Sequence, residues 1–280
     1  MNILLGTPTF SDWSEPIEKL SRNDIYFNDL DNVESIENDI KDKNKNISLI
    51  IPLKFEQMKF TIENKNIINN NNKVNIICCD SYDTIDLLDS KCRFIKFMIS
   101  NNFTHLIPKV HILFHDGRIS MPNPIRTYPI IFKFGSICAG GGSKVCHSAK
   151  DLSECTENSY GYDFIVQEYI NDSTEYSGHM FIKNGIIVHA IYYKTVNENK
   201  FYIQHGRMRE YTRVTKVIDF SQDVFGDIFK LLNYTGFACV DFKIINNNVK
   251  IFEINPRFGG TLIHNKDGLN EMLDVVVKSY

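Results

Sequence analysis

Apolar positions fall into two regimes along this chain. Over residues 1–83, compact apolar runs at 2–6 (NILLG), 47–53 (ISLIIPL) and 74–80 (VNIICCD) alternate with stretches near 14–22, 32–42 and 54–64 whose apolar residues recur at helical spacing. Strands and helices taking turns in this way predict a small α/β unit with a parallel sheet. From residue 84 the rhythm changes. An amphipathic stretch at 90–103 leads into strands predicted at 128–134, 144–148, 164–170, 175–182 and 186–195, and Lys183-Asn184-Gly185 supplies the turn of an antiparallel hairpin. A helix is predicted near 221–233, two more strands at 237–245 and 249–255 around an Asn-rich turn at 246–248, and a last helix near 266–279. Helices laid over mainly antiparallel strands make this second part α+β.

Composition narrows the function classes. The chain has 280 residues, 43% of them hydrophobic, enough for real cores. A net charge of −3 and a pI near 6.2 leave no basic stripe for a polynucleotide, so a small-molecule partner is expected and no nucleic acid. The opening MNILLGTPTF has no basic or long apolar leader, and no window approaches the ~20 apolar residues of a membrane span, so the expected location is cytoplasmic, with no membrane partner. Seven cysteines without a C-x-x-C pair read as reduced, buried thiols. After the first strand, GTPTFSDW holds one glycine where a dinucleotide site would show three. His111, His115 and Asp116 have a spacing that suits a metal on a helix, but their segment reads as a strand entering a turn, and they stay unassigned.

The informative stretch is KIFEINPRFGGT, residues 250–261. Alternation along a strand puts Glu253 and Asn255 on one face, with Phe252 and Ile254 on the other, apolar face. Counting back symmetrically from a turn centred on Asn247 sets Asp241 opposite Glu253. Two carboxylates and a carboxamide make an all-oxygen cluster suited to Mg²⁺, which completes its octahedron with phosphate and water, so a nucleotide is implied. Arg257 can offer a bidentate fork just beyond, and Gly259-Gly260 let backbone N–H groups approach an anion. Upstream, Lys133 on a predicted strand precedes a glycine triplet, Gly140, Gly141 and Gly142. This is not a Walker loop, because Gly141 stands where lysine is required; a phosphate flap is the alternative.

Taken in order, Lys91, Lys133, the glycine flap, the segment QEYI…EYS, VDFKI and FEINPRFGG resemble the ATP-grasp superfamily, in particular its carboxylate–amine ligases and carbamoyl-phosphate-synthetase-like members, over about residues 85–280. The resemblance implies an ATP-grasp fold at 84–280, with a lid subdomain at 84–165 and a C-terminal subdomain at 166–280, preceded by a Rossmann-like domain at 1–83. It implies that Lys91 and Lys133 contact ATP phosphates, with Lys96 on the same predicted helix as the rival to Lys91. The main chain of Glu168, Tyr169 and Ile170 would hold adenine, Glu175 the ribose, and Asp241, Glu253 and Asn255 one or two Mg²⁺, with Mn²⁺ as an alternative ion. Lys133 and Arg257 would be catalytic. Lys194, Arg207, Arg209 and Arg257 would face the acceptor.

The implied reaction is ADP-forming amide synthesis from a carboxylate and an amine through an acylphosphate. A phosphotransferase or a non-catalytic nucleotide-binding regulator are the other readings. The sequence names neither substrate and leaves the oligomeric state open, a homodimer included.

Overall fold

In a computed structural model, the described residues are all but 8–10, 21, 70–73, 136–141, 197–210 and 215–220. The N-terminal part carries the helices α1 (Ser11–Glu18), α2 (Val33–Lys41), α3 (Phe55–Glu63) and α4 (Lys65–Asn69) around four parallel strands, β1 (Asn2–Gly6), β2 (Ile25–Asn28), β3 (Ile47–Ile51) and β4 (Asn75–Ile76), in the order β2-β1-β3-β4. The predicted parallel sheet is present, with one strand more than the pattern showed. Ile25–Asn28 is only four residues long and has a single buried position, Asn28, so no apolar run announces it.

Helices α5 (Tyr82–Asp89) and α6 (Lys91–Ser100) then lead to an antiparallel sheet of β5 (Val110–His115), β6 (Arg118–Ser120), β7 (Ile130–Phe134), β8 (Ser143–Cys146) and β9 (Phe164–Glu168), ordered β6-β5-β9-β7-β8, with α7 (Ala149–Glu157) before its last strand. Ser90 ends α5 and starts α6 at once, its hydroxyl accepting from Arg93 N–H as an N-cap. The third sheet is antiparallel too. It comprises β10 (Thr174–Lys183), β11 (Ile186–Val196), β12 (Tyr211–Val214), β13 (Gly236–Ile245) and β14 (Asn248–Asn255), in the order β12-β11-β10-β13-β14, with α8 (Ser221–Leu231), α9 (Gly260–Ile263) and α10 (Lys266–Ser279) against it.

This third sheet is buried on both faces, which is why its strands are so apolar. One face, with Met180, Tyr192, Val240 and Phe242, packs with Phe225, Ile228 and Phe229 of α8 and with Ile85 and Phe94 of α5 and α6. The other, with Phe181, Ile191, Tyr193 and Phe237, packs with Leu269, Met272 and Val276 of α10 and reaches Ile3, Leu5 and Trp13 of the N-terminal part. Among the described residues no helix is long and apolar enough to cross a membrane.

The β13–β14 hairpin decides where the chemistry lies. Its turn is Asn246-Asn247, both at positive φ (49° and 64°), a pair that asparagine tolerates better than most residues. From that turn the register runs Ile245↔Asn248, Ile244↔Val249, Lys243↔Lys250 and Phe242↔Ile251; continued unbroken, it would set Asp241 against Phe252 and turn Glu253 into the core. A bulge after this point takes up one residue of β14, and beyond it Asp241↔Glu253, Val240↔Ile254 and Cys239↔Asn255 are partners. The apolar sequence enforces the break, since Val249, Ile251 and Ile254 are all buried and only a change of parity between 251 and 254 can bury all three. The expected pairing of Asp241 with Glu253 is therefore found, but Phe252 does not share the core face with Ile254. It is half-buried, and its ring faces the ammonium groups of Lys133 and Lys243.

Candidate active site

Beyond the bulge, one face of the third sheet presents Glu175 and Ser177 on β10, Asp241 and Lys243 on β13, and Glu253 and Asn255 on β14; the register pairs Ser177 with Asp241 and Asp241 with Glu253. Ser177 Oγ donates to Asp241 Oδ1 at 2.6 Å, Asn255 Nδ2 donates to Glu253 Oε1 at 3.2 Å, and Arg257 Nη2 donates to Asn255 Oδ1 at 3.2 Å. A second Arg257 bond, from Nη1 to the Phe258 carbonyl at 3.2 Å, fixes the guanidinium beside the strand end. Its other side meets the N-terminal part, with Trp13 lying 5.9 Å from the guanidinium carbon.

The two lysines arrive from other elements. Lys91 opens α6 and crosses to β14, where its Nζ lies 2.9 Å from Glu253 Oε2. Of the two rivals on α6, Lys91 reaches the carboxylates and Lys96 is exposed. Lys133 is buried on β7 with its ammonium 4.9 Å from the Phe252 ring centre. Gly135 ties their elements together: its N–H donates to Asp163 O at 2.7 Å, and its carbonyl accepts from Lys91 N–H at 3.1 Å. A Cβ at Gly135 would sit 2.8 Å from Cys92 Sγ, so the residue is held to glycine by close approach.

Electrostatics separate the two acids. Burial opposes ionisation of Glu253, but Lys91, Asn255 and Lys133 overcome it and hold the carboxyl down to about 2. The Ser177 hydroxyl and the Arg257 charge favour ionised Asp241 but do not outweigh burial and the Glu253 charge, which push it up to about 7. Burial likewise drives Lys133 down to about 8, against the pull of Glu253. Asp241 is thus an acid whose charge the protein's own cations offset only in part. This donor set fits a hard divalent ion, with Asp241 and Glu253 in place and Asn255 requiring a turn of its amide to present oxygen.

The remaining predicted residues divide. Glu168 ends β9 with its N–H donated to Lys109 O at 2.9 Å and its side chain accepting from Lys109 N–H at 2.8 Å; Tyr169 follows, and the Ile170 carbonyl receives Lys243 Nζ. Lys194 pairs with Tyr176, so it lies on the sheet face opposite Glu175, Ser177 and Asp241, and the structure does not bring it to the acids. The Gly142 carbonyl accepts from Phe134 N–H in the β7–β8 hairpin; Gly140, Gly141, Arg207 and Arg209 lie outside the described residues. His111 and His115 lie on β5 of the second sheet and not on this face. His115 Nδ1 lies 2.6 Å from Asp163 Oδ2, and with Asp116 these form a small polar cluster in the second sheet.

Sequence reasoning missed Ser177, Lys243, Phe252, Trp13 and His179. Period-two counting from Glu175 and Asp241 points to Ser177 and Lys243, whereas nothing local marks Trp13. His179 continues the same face into the core, with Nε2 2.6 Å from Thr261 Oγ1, and burial drives its imidazole down to about 3 from 6.5. The folded protein therefore binds fewer protons than the unfolded chain between pH 3 and 6.5. The stability that neutral His179 allows is complete above 6.5 and lost as pH falls through that window. His179→Gln should flatten the acid side of the stability profile, where this group alone contributes a slope of up to about 1.4 kcal/mol per pH unit. Urea unfolding at neutral and mildly acid pH measures it, and parallel profiles for variant and wild type would refute the assignment.

No curated protein matches this sequence. Among solved structures, the D-alanine–D-alanine ligase from Bacillus anthracis complexed with ATP superposes with a TM-score of 0.62 at 13% identity, covering 100% of this chain and 97% of that one. The biotin carboxylase β,γ-ATP complex from Campylobacter jejuni gives 0.61 at 14% identity, over 98% of this chain and 70% of that one. An L-amino acid ligase from Bacillus licheniformis gives 0.58 at 13%, over 94% and 68%. These likenesses establish the architecture. A family model described as an ATP-grasp domain matches residues 116–261, more than half of the chain and the part that carries Lys133, Asp241, Glu253 and Asn255. The protein belongs to the ATP-grasp family.

Proposed function

We propose that the protein is an ATP-dependent ligase that joins a small-molecule carboxylate to an amine in the cytoplasm. The observation that carries this reading is the meeting of Lys91, Lys133 and Arg257 with the opposed acids Asp241 and Glu253 at one strand end, a site organised for neutralising phosphoryl charge rather than for shuttling protons. The names of two structural neighbours, a D-alanine–D-alanine ligase and an L-amino acid ligase, agree with it.

In this reading the base lies against the main chain of Glu168 and Ile170, with the ribose at Glu175 and the phosphates between Lys91 and Lys133. Asp241, Glu253 and Asn255 would hold Mg²⁺, which when bound offsets the charge of the transferring phosphoryl group. Lys91 releases Glu253 and turns its ammonium to phosphate oxygens. Arg257 orients the substrate carboxylate, whose oxygen attacks the γ-phosphorus while ADP departs. The amine then attacks the acyl carbon, the C–O bond to phosphate breaks, and the departing phosphate takes up the proton the amine gives up. Trp13 backs the guanidinium, so the N-terminal part contributes to the acceptor side.

Screening Mg-ATP-dependent ADP release over carboxylates and amines tests the reading, with hydroxylamine as an amine surrogate that converts an acylphosphate into a hydroxamate. ADP release that answers to a hydroxyl acceptor, with no hydroxamate from any carboxylate, would replace the ligase by a phosphotransferase.

A further inference from the structure

Lys243 has no part in the chemistry above, yet it is 4% exposed in a strand where an aliphatic side chain would cost nothing to bury. Its ammonium is committed to the main chain of one loop. Nζ donates to Asp172 O at 2.7 Å and to Ile170 O at 3.3 Å, with the Phe252 ring centre 5.8 Å away. That loop is also closed on itself, with Asp172 N–H donating to Ile170 O at 3.0 Å and Thr174 N–H donating to Asp172 Oδ1 at 2.6 Å. Glu175 and Asp172 are the acids whose charge reaches Lys243, and burial acts against its charged form.

We propose that Lys243 is a positioning residue that sets base selectivity, holding the peptide planes after Ile170 and Asp172 so that the loop reads adenine and rejects guanine. The inference rests on the nucleotide site proposed above. Adenine presents an amino donor beside a ring acceptor, which matches the Glu168 carbonyl and the Ile170 N–H. Guanine presents an acceptor beside a ring N–H, and to suit it a peptide plane of the loop must turn over, exchanging a carbonyl for an N–H. A cation bonded to the carbonyls of both 170 and 172 blocks that turn in the plane adjoining the reading N–H. Because Lys243 is two residues from Asp241 on the same strand face, one strand registers the base against the acids that face the phosphates.

Calorimetric titration of Mg-ATP, Mg-GTP and Mg-tripolyphosphate into wild type, Lys243→Met and Lys243→Gln decides it. Lys243→Met should weaken ATP by roughly 10- to 30-fold, the loss of charge-assisted bonds, and bring the ATP:GTP preference from about 100-fold to under about tenfold. Lys243→Gln, which keeps a donor, should fall between. Tripolyphosphate should bind all three proteins alike, which also reports that the variants are folded. A wild-type ATP:GTP ratio in either folded variant overturns the role of Lys243. Wild-type protein that binds tripolyphosphate but discriminates no base overturns the base-reading loop together with Lys243, and protein that binds none of the three overturns the nucleotide site itself.

Discussion

Glu253→Gln is expected to remove ATP turnover while leaving the fold intact. The side chain is half-buried between the Lys91 ammonium at 2.9 Å and the Asn255 amide at 3.2 Å, opposite Asp241 in the sheet. Glutamine keeps its shape and an oxygen for Lys91 but loses the charge. For the fold the change has a cost, because Lys91 and the buried Lys133 lose their carboxylate partner; relief of the repulsion that helps to raise Asp241 offsets it in part, so the variant should be folded but less stable. For the reaction nothing offsets it. A cation held by two carboxylates would be held by one, and loss of transition-state charge stabilisation on this scale amounts to about 4 kcal/mol, roughly 10³-fold in rate. Initial rates of Mg-dependent ADP release, set beside a thermal unfolding curve, measure the two effects separately. A folded variant that turns over at the wild-type rate would remove the central role given to this residue.

The strand face behind that prediction was readable from sequence, though by a count that hides its cause. Symmetry about Asn247 pairs 241 with 253, and so does the structure, but through a two-residue turn at 246–247 plus a bulge that consumes one residue. Alternation assumes an unbroken strand, so it sends Phe252 to the core when the bulge leaves it beside two ammonium groups. The burial of Val249, Ile251 and Ile254 together carries the signal of the parity change. Residues that reach the site from distant elements are legible only where something beyond the strand pattern marks them. Lys133 is marked by the glycine triplet that follows it and Lys91 by the family resemblance, whereas Trp13 reaches Arg257 through tertiary packing of α1 against the strand end, which no local pattern encodes. Lys194 is the opposite case. Its strand was predicted, but its register against β10 was not, and one step of parity puts it behind the sheet.

Arg257→Lys should lower the maximal rate about 100-fold while changing ATP affinity little. The guanidinium is spread over three partners, with Nη2 on Asn255 Oδ1, Nη1 on the Phe258 carbonyl and its plane near the Trp13 ring, so its orientation is set before any substrate arrives. A lysine placed there keeps the charge but has a single nitrogen, which can keep one of these bonds and cannot at the same time present a planar fork to a carboxylate. Losing one oriented, charge-assisted contact in the transition state is worth on the order of 3 kcal/mol. Arg257 lies past the acids at the strand end, away from the main chain after β9 assigned to the base, so the loss should appear in kcat at saturating acceptor rather than in the KM for ATP. Asp89 adds an independent readout. Burial raises its carboxyl and Arg257 draws it down, a pull that lysine would retain only in part, so the Asp89 titration followed by carboxyl NMR should move upward in the variant. If ATP binding weakens while kcat is spared, the arginine belongs to the ground-state nucleotide site, and the acceptor carboxylate must be sought elsewhere on this face.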